Sequence, residues 1–264
     1  MEKQKPIGIF DSGVGGLSIC HAIRRALPEE NLVYFADIGF SPYGVKSKDI
    51  INERSEYIVS FLINQGCKAV VVACNTATVN TISNLRAKFS IPIIGVEPGI
   101  KPAALQSKTG IISVLATEQT LESDSFQRLM AKYSKAVKIN AIACPKFVTL
   151  VENLEHYSEQ AVDVAEQYIR PLLTEGSDQI ILGCTHFSFL RTIIDQVVGQ
   201  EANVIDTAAP VAMEVNRRLD KLNLLNSKNT DIYAEFWTSG DYAKVIEPMS
   251  QLWGQDIHLF AIRA

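Results

Sequence analysis

Two cysteines stand where a thiol could do chemistry. Each follows an apolar run and is followed in turn by small hydrogen-bonding side chains. Ala69-Val-Val-Val-Ala-Cys74-Asn75-Thr76 and Gln179-Ile-Ile-Leu-Gly-Cys184-Thr185-His186 read as matching half-motifs. A free thiol has a pKa of about 8.5, so only a few per cent is thiolate at neutral pH. A helix N-terminus or a nearby cation raises that fraction, and both cysteines fall where a helix should begin. A lone cysteine ending an apolar strand is more often core packing than reagent. Two in matching motifs reverse that preference. Cys20, Cys67 and Cys144 lack the polar flank and are assigned to the core.

Groups that could exchange protons with these thiols lie near them in sequence or at other strand ends. His186 sits two residues beyond Cys184 and has the pKa range for acid–base work. Asp11 closes the first apolar run and could accept a proton from Cys74 or orient an ammonium group. Glu152 closes Phe147-Val-Thr-Leu-Val and could back up His186, although a glutamate is ordinarily a solvated surface residue. His21, His156 and His258 belong to helix or strand patterns and receive no role. A zinc site would show closely paired ligands, and the spacing here does not supply them.

The elements that must position these groups alternate along the chain. Strands are predicted at Pro6–Phe10, Asn31–Ala36, Ala69–Ala73, Ile91–Val96, Gly110–Ala116, Val137–Ala143, Gln179–Gly183, Asn203–Ile205, Asp231–Thr238 and Ile257–Ile262. Several are apolar without alternation, as parallel strands covered on both faces should be. Between them run helical stripes. Ile50, Ile51, Arg54, Tyr57, Ile58, Phe61 and Leu62 form one, ending at a capping Gly66. Ala161, Val162, Ala165, Tyr168, Ile169 and Leu172 form another, which Pro171 is expected to kink or end. Alternating strands and helices predict open, mostly parallel α/β sheets. The repeated cysteine motif suggests two related halves.

In such sheets ligands bind beyond the carboxyl ends of the strands. Those ends carry Asp11-Ser12, Asp37, Cys74-Asn75-Thr76, Glu97, Thr117, Cys184-Thr185-His186 and Asp206. The Gly13-Val-Gly15-Gly16 turn could let an anion approach backbone N–H groups at a helix start. It fits the spaced dinucleotide fingerprint poorly and is otherwise a tight strand–helix turn. Ser41-Pro42-Tyr43-Gly44 has the composition of a β-turn.

Composition excludes other classes. The 264 residues suffice for one large or two smaller α/β units. Hydrophobic content of 47% with 20% charged residues is that of an ordinary globular protein. A net charge of −4 and a pI near 5.6 give no general attraction to nucleic acid or anionic membranes. No export leader is read at the start and no apolar run is long enough to span a bilayer. The five cysteines are therefore expected to be reduced thiols in the cytoplasm.

Taken in order, Phe10-Asp11-Ser12-Gly-Val-Gly-Gly, Asp37 with Pro42-Tyr43-Gly44, Ala-Cys74-Asn75-Thr76-Ala, Val-Glu97-Pro, Leu-Ala-Thr117 and Gly-Cys184-Thr185-His186 resemble the bacterial glutamate racemases from about residue 6 to 210. The resemblance implies two α/β domains facing each other across the active site, 1–97 with 208–264 and 98–207. It implies racemisation without cofactor or metal, D-glutamate supply for peptidoglycan, and a homodimer. By motif, Cys74 and Cys184 are the two bases. Asp11 supports Cys74, His186 and Glu152 support Cys184, and Asp37 is a helper near the first base. Ser12, Asn75, Thr76, Thr117 and Thr185 would hold the α-carboxylate or ammonium, with Pro42, Tyr43 and Gly44 at the distal carboxylate.

The chain departs from the family pattern at Thr149, at Gln119 and at Phe187-Ser188-Phe189, which puts local loop geometry in question. An aspartate-type racemase would carry Glu where His186 stands. A cysteine hydrolase would leave the second cysteine motif without a task. Some relatives bind DNA gyrase, which the acidic pI does not support here. The short N-terminus predicts no activation by a cell-wall precursor.

Overall fold

The computed structural model describes residues 2–226 and 231–262. It contains two parallel sheets. The first is built from β1 (Ile7–Asp11), β2 (Leu32–Ala36), β3 (Ala69–Val72), β4 (Ile93–Gly95), β9 (Ala234–Thr238) and β10 (Leu259–Ala261), in the order β10-β9-β2-β1-β3-β4. The second, β6-β5-β7-β8, comprises β5 (Ile111–Ala116), β6 (Lys138–Ala143), β7 (Gln179–Leu182) and β8 (Asn203–Ile205). Every pairing among the described residues is parallel. Each of the ten strands falls within a segment predicted from sequence, apart from Asp11 at the end of β1.

Register explains why the chemistry collects at one edge. Asp11 pairs with Ala36, and Phe10 with Val72. Asp11, Asp37 and Cys74 therefore emerge from the same end of three adjacent strands. In the second sheet Ala116 pairs with Ala143 and Leu115 with Leu182, which brings Thr117 and Cys184 to a common edge.

The unbroken apolar runs have the expected cause. Ile7 and Ile9 of β1 enter one core cluster, while Phe10 enters the cluster on the other face of the sheet. The first of these clusters is continuous with residues of the second sheet's half, including Phe147, Phe187 and Leu190. Helix α1 (Leu17–Ala26) lies within it, packed on α10 (Ala208–Lys221) and on the 3-10 turn Thr185–Leu190 that follows β7. The departing residue Phe187 is absorbed here, edge-on to Phe147 at 5.2 Å between ring centroids.

Helix α2 (Lys48–Asn64) ends as its sequence predicts. Gly66 takes φ 81°, and Gly66 and Cys67 donate to the carbonyls of Ile63 and Leu62. The expected end of a helix at Pro171 and the expected turn at residues 41–44 need correction. Helix α8 (Glu159–Thr174) runs three residues past Pro171. A proline in the last turn removes only one N–H bond, and Gly176 at φ 91° follows the end. Residues 41–44 do not form the predicted turn. Pro42 is extended at ψ 142°, and the chain turns at Tyr43–Val45, closed by Lys46 N–H donating to the Tyr43 carbonyl at 3.1 Å.

Candidate active site

The edges of the two sheets enclose a cavity of about 170 Å³. Helix α3 (Asn75–Lys88) begins on its wall with Cys74 as cap. The sulfur accepts from Ala77 N–H at 3.4 Å, and the thiol faces Ser12 Oγ at 3.7 Å. Burial, together with the negative charge of Asp11, pushes the Cys74 thiol up to about 12, against the opposing pull of the Ala77 N–H and the Ser12 hydroxyl. Cys74 is therefore a protonated thiol at neutral pH, and the helix N-terminus does not reverse this.

Cys184 heads the 3-10 turn Thr185–Leu190 rather than an α-helix; α9 (Arg191–Val198) starts only afterwards. Its sulfur lies 3.7 Å from His186 Nδ1, and His186 Nε2 lies 2.6 Å from Glu152 Oε1 at the end of α7 (Pro145–Glu152). Burial alone would lower the His186 pKa, but its hydrogen bonds with Cys184 and Glu152, and their charge, hold it well above the ordinary 6.5. Burial likewise acts to raise Glu152, and the His186 partner outweighs it and lowers the carboxyl below its ordinary 4.5. A protonated imidazole donates from both nitrogens, one toward each partner.

Asp11 is fully buried, and its carboxylate accepts from Gly13 N–H at 2.8 Å and Thr185 Oγ1 at 3.0 Å. Burial raises its pKa, opposed by the His186 charge and by those two donors. Its hydrogen bonds thus run to the glycine turn and across to the second sheet's half, and it acts on Cys74 through charge. Thr76 and Thr117 hydroxyls meet at 2.9 Å, each also bonded to Thr120. Asn75 is 2% exposed and lines the cavity, and neither amide atom has a protein partner among the described residues.

Ser12, Pro42, Tyr43, Gly44, Cys74, Asn75, Thr76, Thr117, Cys184, Thr185 and His186 all line the cavity. Asp11, Glu152 and Asp37 stand behind it. The Asp37 oxygens accept from Tyr43, Arg54 and Ser239. Glu97 and Asp206 face a different cavity, and Asp206 caps the start of α10 through Ala208 N–H at 2.8 Å. The glycine turn does not cradle a ligand either. A Cβ at Gly15 would lie 2.3 Å from His186 Nδ1, and one at Gly13 would lie 2.3 Å from Glu152 Oε1. The missing side chains make room for the His186–Glu152 pair.

Sequence reasoning passed over Val45, Glu118, Ala143, Pro145 and Val148 as cavity walls and gave Thr149 no part in the site. The apolar ones carry no chemical signal, and Thr149 registers only as a departure from the family pattern. No lysine or arginine lines the cavity among the described residues, so the positive groups that face it are His186 and the partial charge of helix N-termini, beside neutral donors. No three His, Cys, Asp or Glu side chains gather into a metal-binding group among the described residues, and no described helix is long and apolar enough to cross a membrane.

Both the sequence and the fold are similar to those of known proteins. The Asp/Glu/Hydantoin racemase family profile matches residues 7–215. A glutamate racemase from Herpetosiphon aurantiacus is 46% identical over 241 residues, covering 91% of this chain and 95% of that one. A glutamate racemase isoform from Bacillus anthracis superposes with a TM-score of 0.89 at 32% identity, over 98% of each chain. Escherichia coli glutamate racemase, solved in complex with L-glutamate and the activator UDP-MurNAc-Ala, superposes with a TM-score of 0.87 at 30% identity, also over 98% of each. The chain belongs to the Asp/Glu/hydantoin racemase family and, within it, to the glutamate racemases.

Proposed function

We propose that this chain interconverts L- and D-glutamate by a two-base exchange, in which one of Cys74 and Cys184 takes the α-proton as thiolate while the other, as thiol, delivers its own proton to the opposite face of Cα. The observation that carries the reading is the placement of the two thiols. Each ends a strand of a different sheet, both line one cavity, and each has its own partner: Ser12 for Cys74, His186 with Glu152 for Cys184.

The reaction needs a base on one face of Cα, an acid on the other, and stabilisation of the charge that develops on the carboxylate. Cys74 rests as the thiol and is suited to donate. Cys184 gives or takes its proton with His186 as the neighbouring acid–base group, and Glu152 holds the imidazole in place. Once Cys74 has given its proton it is the base for the reverse direction. The unpartnered Asn75 amide and the N-terminus of α3 supply neutral donors for the α-carboxylate. Ser12, Thr76, Thr117 and Thr185 add hydroxyls around it. The N–H groups at the start of the Tyr43–Val45 turn have no partner within it and suit the distal carboxylate.

In this reading no cofactor is needed, and the product D-glutamate feeds peptidoglycan synthesis in the cytoplasm. The reading keeps two domains, 1–97 with 208–264 and 98–207, a division that the separate strand sets of the two sheets support; residues 1, 227–230, 263 and 264 lie outside the described residues. The test is turnover of L-glutamate and L-aspartate side by side, without pyridoxal phosphate and with chelator. Racemisation of glutamate in clear preference to aspartate supports the reading. Preference for aspartate, or turnover of neither by folded protein, contradicts it.

A further inference from the structure

Four donors converge on Asp37, which is fully buried just beyond β2. Tyr43 Oη donates to Oδ2 at 2.5 Å. Arg54, on α2, donates from Nε to Oδ2 at 3.1 Å and from Nη2 to Oδ1 at 2.7 Å. Ser239 Oγ donates to Oδ1 at 2.7 Å. The guanidinium also lies over two rings, its Cζ 3.8 Å from the Phe40 centroid and 4.7 Å from that of Tyr57.

This chain of contacts ends on the cavity wall. Tyr43 spends its only proton on Asp37, so its hydroxyl donates nothing to a ligand. Burial and the Asp37 charge both push the phenol far above its ordinary range, so it remains a phenol. What Tyr43 contributes is the place of its ring and of the next residue, Gly44. Gly44 abuts Thr117 closely enough that a Cβ there would lie 3.3 Å from the Thr117 Cβ. The distance between the Tyr43–Val45 turn and Thr117 therefore depends on where Asp37 holds Tyr43. Arg54 fixes Asp37 through two directed bonds that a lysine point charge could not reproduce.

We infer that Arg54 is a positioning residue of this site: through Asp37 it sets the place of Tyr43 and Gly44, and so the depth of the end of the cavity that takes the distal carboxylate of an acidic amino acid. The inference rests on the glutamate reading above. A merely structural ion pair would change stability alone. A positioning role changes KM and the choice between a longer and a shorter diacid.

The experiment compares wild type with Arg54→Met, Arg54→Lys, Tyr43→Phe and the Arg54→Met/Tyr43→Phe double variant, for glutamate and aspartate. Arg54→Met should raise KM for glutamate about tenfold with kcat within about twofold, and narrow the preference for glutamate over aspartate. Arg54→Lys should fall between it and wild type. Tyr43→Phe keeps the ring and the ion pair, so it reports on the same link should the methionine variant not fold. It should also raise KM, and the double variant should be no worse than the worse single one. Unchanged KM and selectivity in folded variants, or additive effects in the double, overturn the inference while leaving the racemase reading intact. A wild type that does not racemise glutamate overturns the reading and the inference together.

Discussion

His186 Nε2 lies 2.6 Å from Glu152 Oε1, a bond that ties the turn after β7 to the last residue of α7. The partnership holds His186 above its ordinary 6.5 and Glu152 below its ordinary 4.5. The contribution of the raised histidine to stability is fully present below 6.5 and is lost as pH rises through its raised value. That of the lowered carboxylate is present above 4.5 and is lost as pH falls through its lowered value.

Glu152→Gln should therefore be less stable than wild type by about 2 kcal/mol across the weakly acid and neutral range. The gap should shrink at alkaline pH, where wild-type His186 loses its proton as well. Thermal melts of both proteins across pH check this. A gap that is absent, or that widens with rising pH, speaks against a charged pair.

Cys74, held up to about 12 by burial and by Asp11, should react slowly with iodoacetamide at neutral pH, because the thiolate is the nucleophile. Its alkylation rate, followed by peptide mass spectrometry, should climb about tenfold per pH unit toward alkaline pH. Rapid labelling of Cys74 at pH 7 would show a stabilised thiolate and reassign the resting acid.

The glycine turn offers a contrast between two alanine substitutions. Gly15→Ala drives a Cβ to 2.3 Å from His186 Nδ1 and 2.7 Å from Thr185 Oγ1. It should cost about 1–3 kcal/mol of stability and reduce kcat on the order of 100-fold by displacing the imidazole. Gly66→Ala meets open space but must hold φ 81°. It should cost about 1–2 kcal/mol and leave kcat and KM unchanged. Equal kinetics in the two variants would remove the argument for the turn.

Asn75 presents two buried amide atoms to the cavity with no protein partner among the described residues. Asn75→Ala should leave the melting temperature unchanged or slightly raised, because it removes an unpaired buried polar group. KM for glutamate should rise about tenfold or more, as a hydrogen bond to a charged ligand is lost. A marked loss of stability with unchanged KM would make Asn75 a structural residue.

What was legible in the sequence follows from the range of the signals. The strand ends declared themselves because Val70-Val71-Val72 and Ile180-Ile181-Leu182 are local apolar runs that stop at cysteine. Contacts between distant segments left weaker marks. Arg54 stood out only as a charge on an apolar helical stripe, and its partner Asp37 lies 17 residues away. Gly13 and Gly15 looked like a ligand cradle because the residues that need their space, Glu152 and His186, are more than a hundred positions on. Local rules misplaced the turn at residues 41–44 for a related reason. Tyr43 is held by its bond to Asp37, not by turn propensity alone.

The central claim is that one thiolate removes the α-proton while the other thiol protonates Cα from the opposite face, and isotope exchange tests it most directly. L-glutamate is incubated in deuterated water with wild type, Cys74→Ser and Cys184→Ser, and both enantiomers are resolved and examined for deuterium at Cα. The account predicts D-glutamate carrying deuterium from wild type, and racemisation lowered by several orders of magnitude in each single variant, both remaining folded. Racemisation that survives loss of either cysteine at near wild-type rate would contradict it.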